Sequence, residues 1–133
     1  MDRGLEGFVA QLDGPDGEAV RRAWVENTVG TTDDAGRDRW IVETMCSVPL
    51  SVAAAVIRGV VEWNGVAALA LCRVPLLVLR SGTGGSNEPA RLLPLKPDLS
   101  FGVTVGAGHF HQLEVPEQVT AMMERFFLVV LTE

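Results

Sequence analysis

Val74 to Leu79 reads VPLLVL, five apolar residues in six positions with no polar alternation. That pattern belongs to a strand in a parallel sheet, buried on both faces, and it needs cover on each side. Downstream, SGTGGSNEP makes a glycine- and serine-rich loop, and Pro89 can open a short helix over ARLL. LKPDLS then leads into a last strand, FGVTV. Strand, helix, strand and helix in succession predict an α/β domain.

The second strand ends in an informative stretch, GVTVGAGHFHQLEVPEQVTAMMERFF. Val103 and Val105 alternate with smaller residues, and Gly106 and Gly108 relax the backbone where it must turn. His109 is therefore expected on the loop just past the strand's end. Glu114, Pro116 and Glu117 stand where a first helical turn tolerates acid and proline, and Val119, Met122, Met123 and Phe126 recur at helical spacing. The unit reads as strand, tight loop bearing His109, amphipathic helix.

Ahead of these strands the pattern is helical. Over residues 17–62, Val20, Ala23 and Trp24 share one face of a first helix. Trp40, Ile41, Thr44 and Met45 form the stripe of a second, with Thr31 and Thr32 able to cap it. A third begins near Ser47 and Pro49 and spaces Leu50, Ala53, Ala54, Ile57, Val60 and Val61 around one side. The texture changes at Asn64, which divides the chain into a helical segment, 1–63, and an α/β segment, 64–133, opening with a short helix over GVAALAL.

Composition removes several functional classes. At 47% hydrophobic and 21% charged, the 133 residues are core-forming rather than disordered. A net charge of -6 with only eleven Lys and Arg lacks the basic stripe that nucleic acid requires. Arg58, Arg73 and Pro75 interrupt the apolar runs before the roughly 20 residues of a membrane span, and MDRGLEGF has no leader pattern. Cys46 and Cys72 lack metal-ligand spacing and read as reduced thiols. The expectation is a cytoplasmic protein with no nucleic-acid or membrane partner.

From the order of elements and the residues GAGHFHQLEVPEQV, the chain resembles the C-terminal half of an α/β-hydrolase. The resemblance is loose before Ser47 and close over residues 74–127. It implies a helical cap segment, then the last two parallel strands and the closing helix of the fold. It further implies ester, lactone or carbon–carbon bond hydrolysis of a small-molecule substrate, with no cofactor or metal. His109 stands at the position of the general base, which takes a proton from the nucleophile and passes it to the leaving group. His111 reads as a surface or structural residue. Trp24, Trp40 and Trp63 on the cap-like helices, with Phe110, are candidates to line an apolar substrate pocket, although aromatic residues on amphipathic helices are commonly buried for packing alone.

Other parts of that family's chemistry are missing from the sequence. No serine, cysteine or aspartate has the glycines of a G-x-S-x-G elbow, and there is no HGGG-type oxyanion segment. Where relatives place the triad aspartate, this chain offers Asn87 and Glu88, so Glu88 is the candidate acid; Asp98 reads as an ordinary surface residue and Asn64 is an amide. SGTGGS lacks the lysine and spacing of a phosphate-binding loop. Two strands alone make a marginal sheet with open edges, which implies a truncated hydrolase or one paired with a second copy or a complementary N-terminal half. The alternatives are a half-enzyme that takes its nucleophile from a partner chain, or a non-catalytic binding module.

Overall fold

The computed structural model describes residues 3–29, 33–82 and 89–132, which divide into two compact units, Met1–Asn64 and Gly65–Glu133. Described residues are dominated by helix, with one two-stranded parallel sheet.

The first unit contains α1 (Arg3–Leu12), α2 (Gly17–Thr28), α3 (Ala35–Ser47) and α4 (Leu50–Glu62). Helix α1 lies against α2 and α4, and α2 lies against α3. The chain returns from α1 to α2 within a few residues, and Gly17 makes that closure possible. A Cβ there would sit 2.2 Å from the Leu12 carbonyl oxygen and 2.8 Å from Leu50 Cδ2. The N-cap of α3 is Asp34, whose Oδ1 accepts from the N–H groups of Gly36 and Arg37 at 2.9 and 3.0 Å. Thr31 and Thr32, expected in that role, lie outside the described residues.

Core residues depart from the predicted stripes. On α2 the buried residues are Gly17, Arg21 and Val25, and on α3 they are Asp38, Ile41 and Val42; Ala23, Trp40, Thr44 and Met45 are exposed. The α2 stripe is thus displaced by one residue from Val20 and Trp24, because a buried arginine occupies the centre of the face. Arg21 donates to the Val48 carbonyl, to the Cys46 carbonyl at 2.7 Å and to the Glu18 carboxylate. The two carbonyls lie at the C-terminal end of α3, where intrahelical donors run out, so the guanidinium satisfies both while fastening α2 to α3. A side chain counted as polar by periodicity is therefore among the most buried here, at 5% exposure.

The second unit runs α5 (Gly65–Leu71), β1 (Leu77–Ser81), α6 (Pro89–Leu92), β2 (Ser100–Thr104), α7 (His111–Glu114) and α8 (Pro116–Val130). Strands β1 and β2 pair in parallel, from Leu77 opposite Ser100 to Ser81 opposite Thr104. Helix α8 lies against both strands. Strand β1 begins three residues after the apolar run does and is half-buried throughout rather than enclosed on both faces. Only α8 among the described helices makes extensive contact with the sheet. Apolar surface is accordingly left open: no residue of α8 is buried, and Phe127, Leu128 and Val129 are exposed. A groove of about 490 Å³ runs between sheet and helix, lined by Leu77, Phe101, Met122, Phe126 and Val129.

Among the described residues no single helix is long and apolar enough to cross a membrane. Cys46 and Cys72 are free and half-buried. Lys96, just before β2, is 6% exposed and donates to Asp98 Oδ2 at 3.1 Å and toward the Cys72 carbonyl at 3.4 Å. The hydrogen bond from Lys96 holds the Asp98 carboxyl below its ordinary value.

Gly17→Ala should lower stability by about 1–3 kcal/mol through the clash with Leu12. Gly7→Ala, where nothing lies within 4 Å of the added Cβ, should raise it by about 0.4–1 kcal/mol. Urea melts reading helicity check both signs. For Asp98, the folded-state value is depressed, so its contribution to stability is fully present above the ordinary value of 3.8 and is lost as pH falls through the lowered one. An NMR titration of the Asp98 carboxyl should show a midpoint below 3.8 that returns toward it in Lys96→Met.

Candidate functional site

Strand β2 ends at Thr104, and the following six residues carry His109 beyond the carboxyl end of the parallel pair. Four local devices hold this segment. At its start, Val105 extends past the ladder, and the Gln118 side chain takes over the role of a neighbouring strand. Gln118 Oε1 accepts from the Val105 N–H at 2.9 Å, and Gln118 Nε2 donates to the Val105 carbonyl at 3.0 Å. Next, Gly106 turns the chain with φ +72°, a left-handed value that costs an L side chain about 1–2 kcal/mol.

The third device is Glu114, 6% exposed on α7. Its Oε2 accepts from the Gly108 N–H at 2.8 Å and its Oε1 from the Phe110 N–H at 3.2 Å. The Glu114 backbone N–H donates back to the Phe110 carbonyl at 3.0 Å. Sequence reasoning placed Glu114 among the acids of a helix first turn; its carboxylate instead reaches back into the loop. The signal available for it was an acid a few residues beyond a glycine-rich turn, a spacing at which a side chain can meet the turn's own N–H groups.

The fourth device is the alternation of burial around the histidine. Ala107, Gly108 and Phe110 are buried, whereas His109 between them is exposed. Phe110 anchors the loop from below and meets the His109 ring edge-on, with centroids 5.1 Å apart and planes at 85°. Phe110 is 7% exposed, which suits an anchor more than a wall of a substrate pocket. His111 is held differently: its Nδ1 lies 3.2 Å from the hydroxyl of fully buried Thr104, which is also 3.4 Å from the Arg80 carbonyl oxygen. That contact ties α7 to the end of β2. Among the described residues no three His, Cys, Asp or Glu side chains gather where a metal ion could be held.

The remaining expected site residues are scattered. Glu88 and Asn87 lie outside the described residues. Trp24 stacks obliquely on Phe8, with centroids 5.3 Å apart, and lines an apolar cavity of about 180 Å³ in the first unit with Leu12, Val25, Val52 and Ile57. Trp40 and Trp63 do not line that cavity and are 54% and 68% exposed. His109 lines neither this cavity nor the groove beside α8. Asp98 is exposed and engaged by Lys96.

Chemically, the arrangement offers one imidazole, presented to solvent from a braced loop at the carboxyl end of parallel strands, where open α/β sheets bind ligands. Comparison with protein-family models and with curated protein sequences found no match to this chain.

Removing the Gln118 amide should free the start of the loop. Gln118→Leu keeps the helix propensity of α8 and is expected to cost about 1 kcal/mol. Hydrogen exchange at the Val105 amide should accelerate while α8 helicity is unchanged; an unaltered Val105 rate would show that the side-chain clamp contributes nothing in solution.

Proposed function

We propose that this chain is the C-terminal part of an α/β-hydrolase, with His109 as general base for hydrolysis of an ester, lactone or related carbon–carbon bond. The observation that carries the proposal is the exposed His109 ring on a loop braced at the carboxyl end of β2, followed by a helix that covers the sheet. The imidazole takes the proton of a hydroxyl or thiol as that group attacks the substrate carbonyl carbon, then returns the proton to the departing group, an alkoxide from an ester or lactone and a carbanion from a carbon–carbon bond. A water molecule, deprotonated by the same ring, cleaves the covalent intermediate.

The nucleophile belongs to polypeptide outside these residues, since none of them forms a G-x-S-x-G elbow. The same polypeptide, a complementary N-terminal half, adds strands and cover to the two-stranded sheet. The outer edges of β1 and β2, unpaired among the described residues, and the exposed Phe127 and Leu128 of α8 support such an association; a second copy of the chain is the competing occupant. Glu88 is the triad acid in this scheme.

A second function, as a non-catalytic binding module, is favoured by the apolar cavity that Trp24 lines in the first unit, which needs no nucleophile to be occupied. Activated esters discriminate the two, because an imidazole can promote their hydrolysis without a neighbouring elbow. The full chain should hydrolyse p-nitrophenyl acetate faster than an equal concentration of free imidazole. His109→Ala should abolish that excess and His111→Ala should retain it. A rate that survives His109→Ala rules out His109 as the base, and a rate no greater than that of imidazole leaves the binding module.

A further inference from the structure

We propose that Glu114 is the positioning residue of His109, acting through the backbone on both sides of it; this rests on the assignment of His109 as the base. The two N–H groups held by the carboxylate belong to Gly108 and Phe110, the residues immediately before and after the histidine. One bond fixes the peptide plane between residues 107 and 108, the other the plane between residues 109 and 110. The Cα of His109 belongs to the second of these planes and is separated from the first only by the peptide between residues 108 and 109, so the backbone that sets where its ring leaves the loop is held close on both sides.

The chemistry of the clasp requires a carboxylate. Both acceptor oxygens are used, one per donor, and both converging groups are N–H donors. Glutamine has the same length but one acceptor oxygen; its amide N–H₂ would face a second N–H across the same gap, which opposes donor to donor. The clasp also lies in buried surroundings, among Gly108, Phe110 and Glu114, where water cannot replace a lost partner. The Glu114 N–H to Phe110 carbonyl bond closes a ring through side chain and backbone, so the carboxylate is itself fixed by the turn it fixes. Gly106, Gln118 and the His111–Thr104 contact brace the flanks of the loop, and Leu113 N–H meets the Phe110 carbonyl at 2.7 Å, but it is the Glu114 carboxylate that takes the N–H groups on both sides of His109.

The test uses the isotope-labelled full chain, wild type and Glu114→Gln, observed by NMR. Two readouts are local to the clasp: hydrogen exchange of the Gly108 and Phe110 amides, and the ring-proton shifts of His109, which lies edge-on to Phe110. Glu114→Gln should raise both exchange rates at least tenfold and move the His109 ring signals toward those of a free histidine. The ring signals of His111, held by Thr104, and the amides of β2 should stay within twofold and in place. Overturning results are unchanged Gly108 and Phe110 exchange, an unmoved His109 ring, or His109, His111 and β2 all changing together, which would make Glu114 a residue of general stability. If Glu114→Gln does not fold, the wild type still decides: Gly108 and Phe110 must exchange as slowly as β2 amides, and exchange at the rate of an open loop refutes the clasp. Ester turnover by His109→Ala is a separate result, so a moved ring without His109-dependent turnover leaves the positioning intact and removes only the base assignment.

Discussion

The parallel pairing of β1 with β2 is the constraint on which the second unit depends. Parallel strands cannot be joined by a tight turn, so the chain must leave the end of β1, cross over through α6 and re-enter at Ser100. The register that aligns Ser81 with Thr104 ends both strands at one rim, and everything beyond Thr104 is necessarily presented there. Helix α8 covers both strands, and from its first turns Gln118 reaches the Val105 backbone. Position of the helix and position of the loop are therefore one problem. Displacing α8 would release the loop even if no residue of the loop were altered.

Much of this could be anticipated from residue order, and the failures have local causes. The loop with His109 and the proline start of α8 were legible because glycine frees the backbone for a turn and proline fixes φ, both regardless of tertiary context. The core faces of α2 and α3 were less so. Periodicity counts Arg21 and Asp38 as solvent-facing, yet both are buried, Arg21 because the terminal carbonyls of α3 give its charge a place to go. Helix α1 is not legible in the sequence, since two glycines and a short apolar pattern give it little propensity of its own. Glu114 shows the same limit at the site. Its type and position were visible, but whether a carboxylate serves a helix dipole or folds back onto a loop is decided by three-dimensional closure.

The two units also differ in how their surfaces are finished. In the first, the Arg21 guanidinium caps the carbonyls of Cys46 and Val48 while its Nε and Asp38 Oδ2 stay unpaired, and Arg58 reaches Asp13 across the unit at 3.0 Å on the exposed side. Such an exposed pair adds little stability, about 0–1 kcal/mol, so closure at Gly17 and the Arg21 contacts matter more. In the second unit, apolar side chains of α8 remain open to solvent although the His109 loop behind them is closely braced. Burial is concentrated at the strand rim, and Leu131, which caps the far end of α8, is 81% exposed.

All three tryptophans fall at positions 24, 40 and 63, within the helical unit, and the chain has no tyrosine. Intrinsic fluorescence is consequently blind to the strands and to the histidine loop, which carry only phenylalanine. Emission changes during denaturation would follow the helices of the first unit, with Trp24 beside Phe8 the most sensitive reporter and Trp63 already bathed in water. A fluorescence melt of this chain takes its signal from half of the sequence, and the rim contributes no emitter of its own.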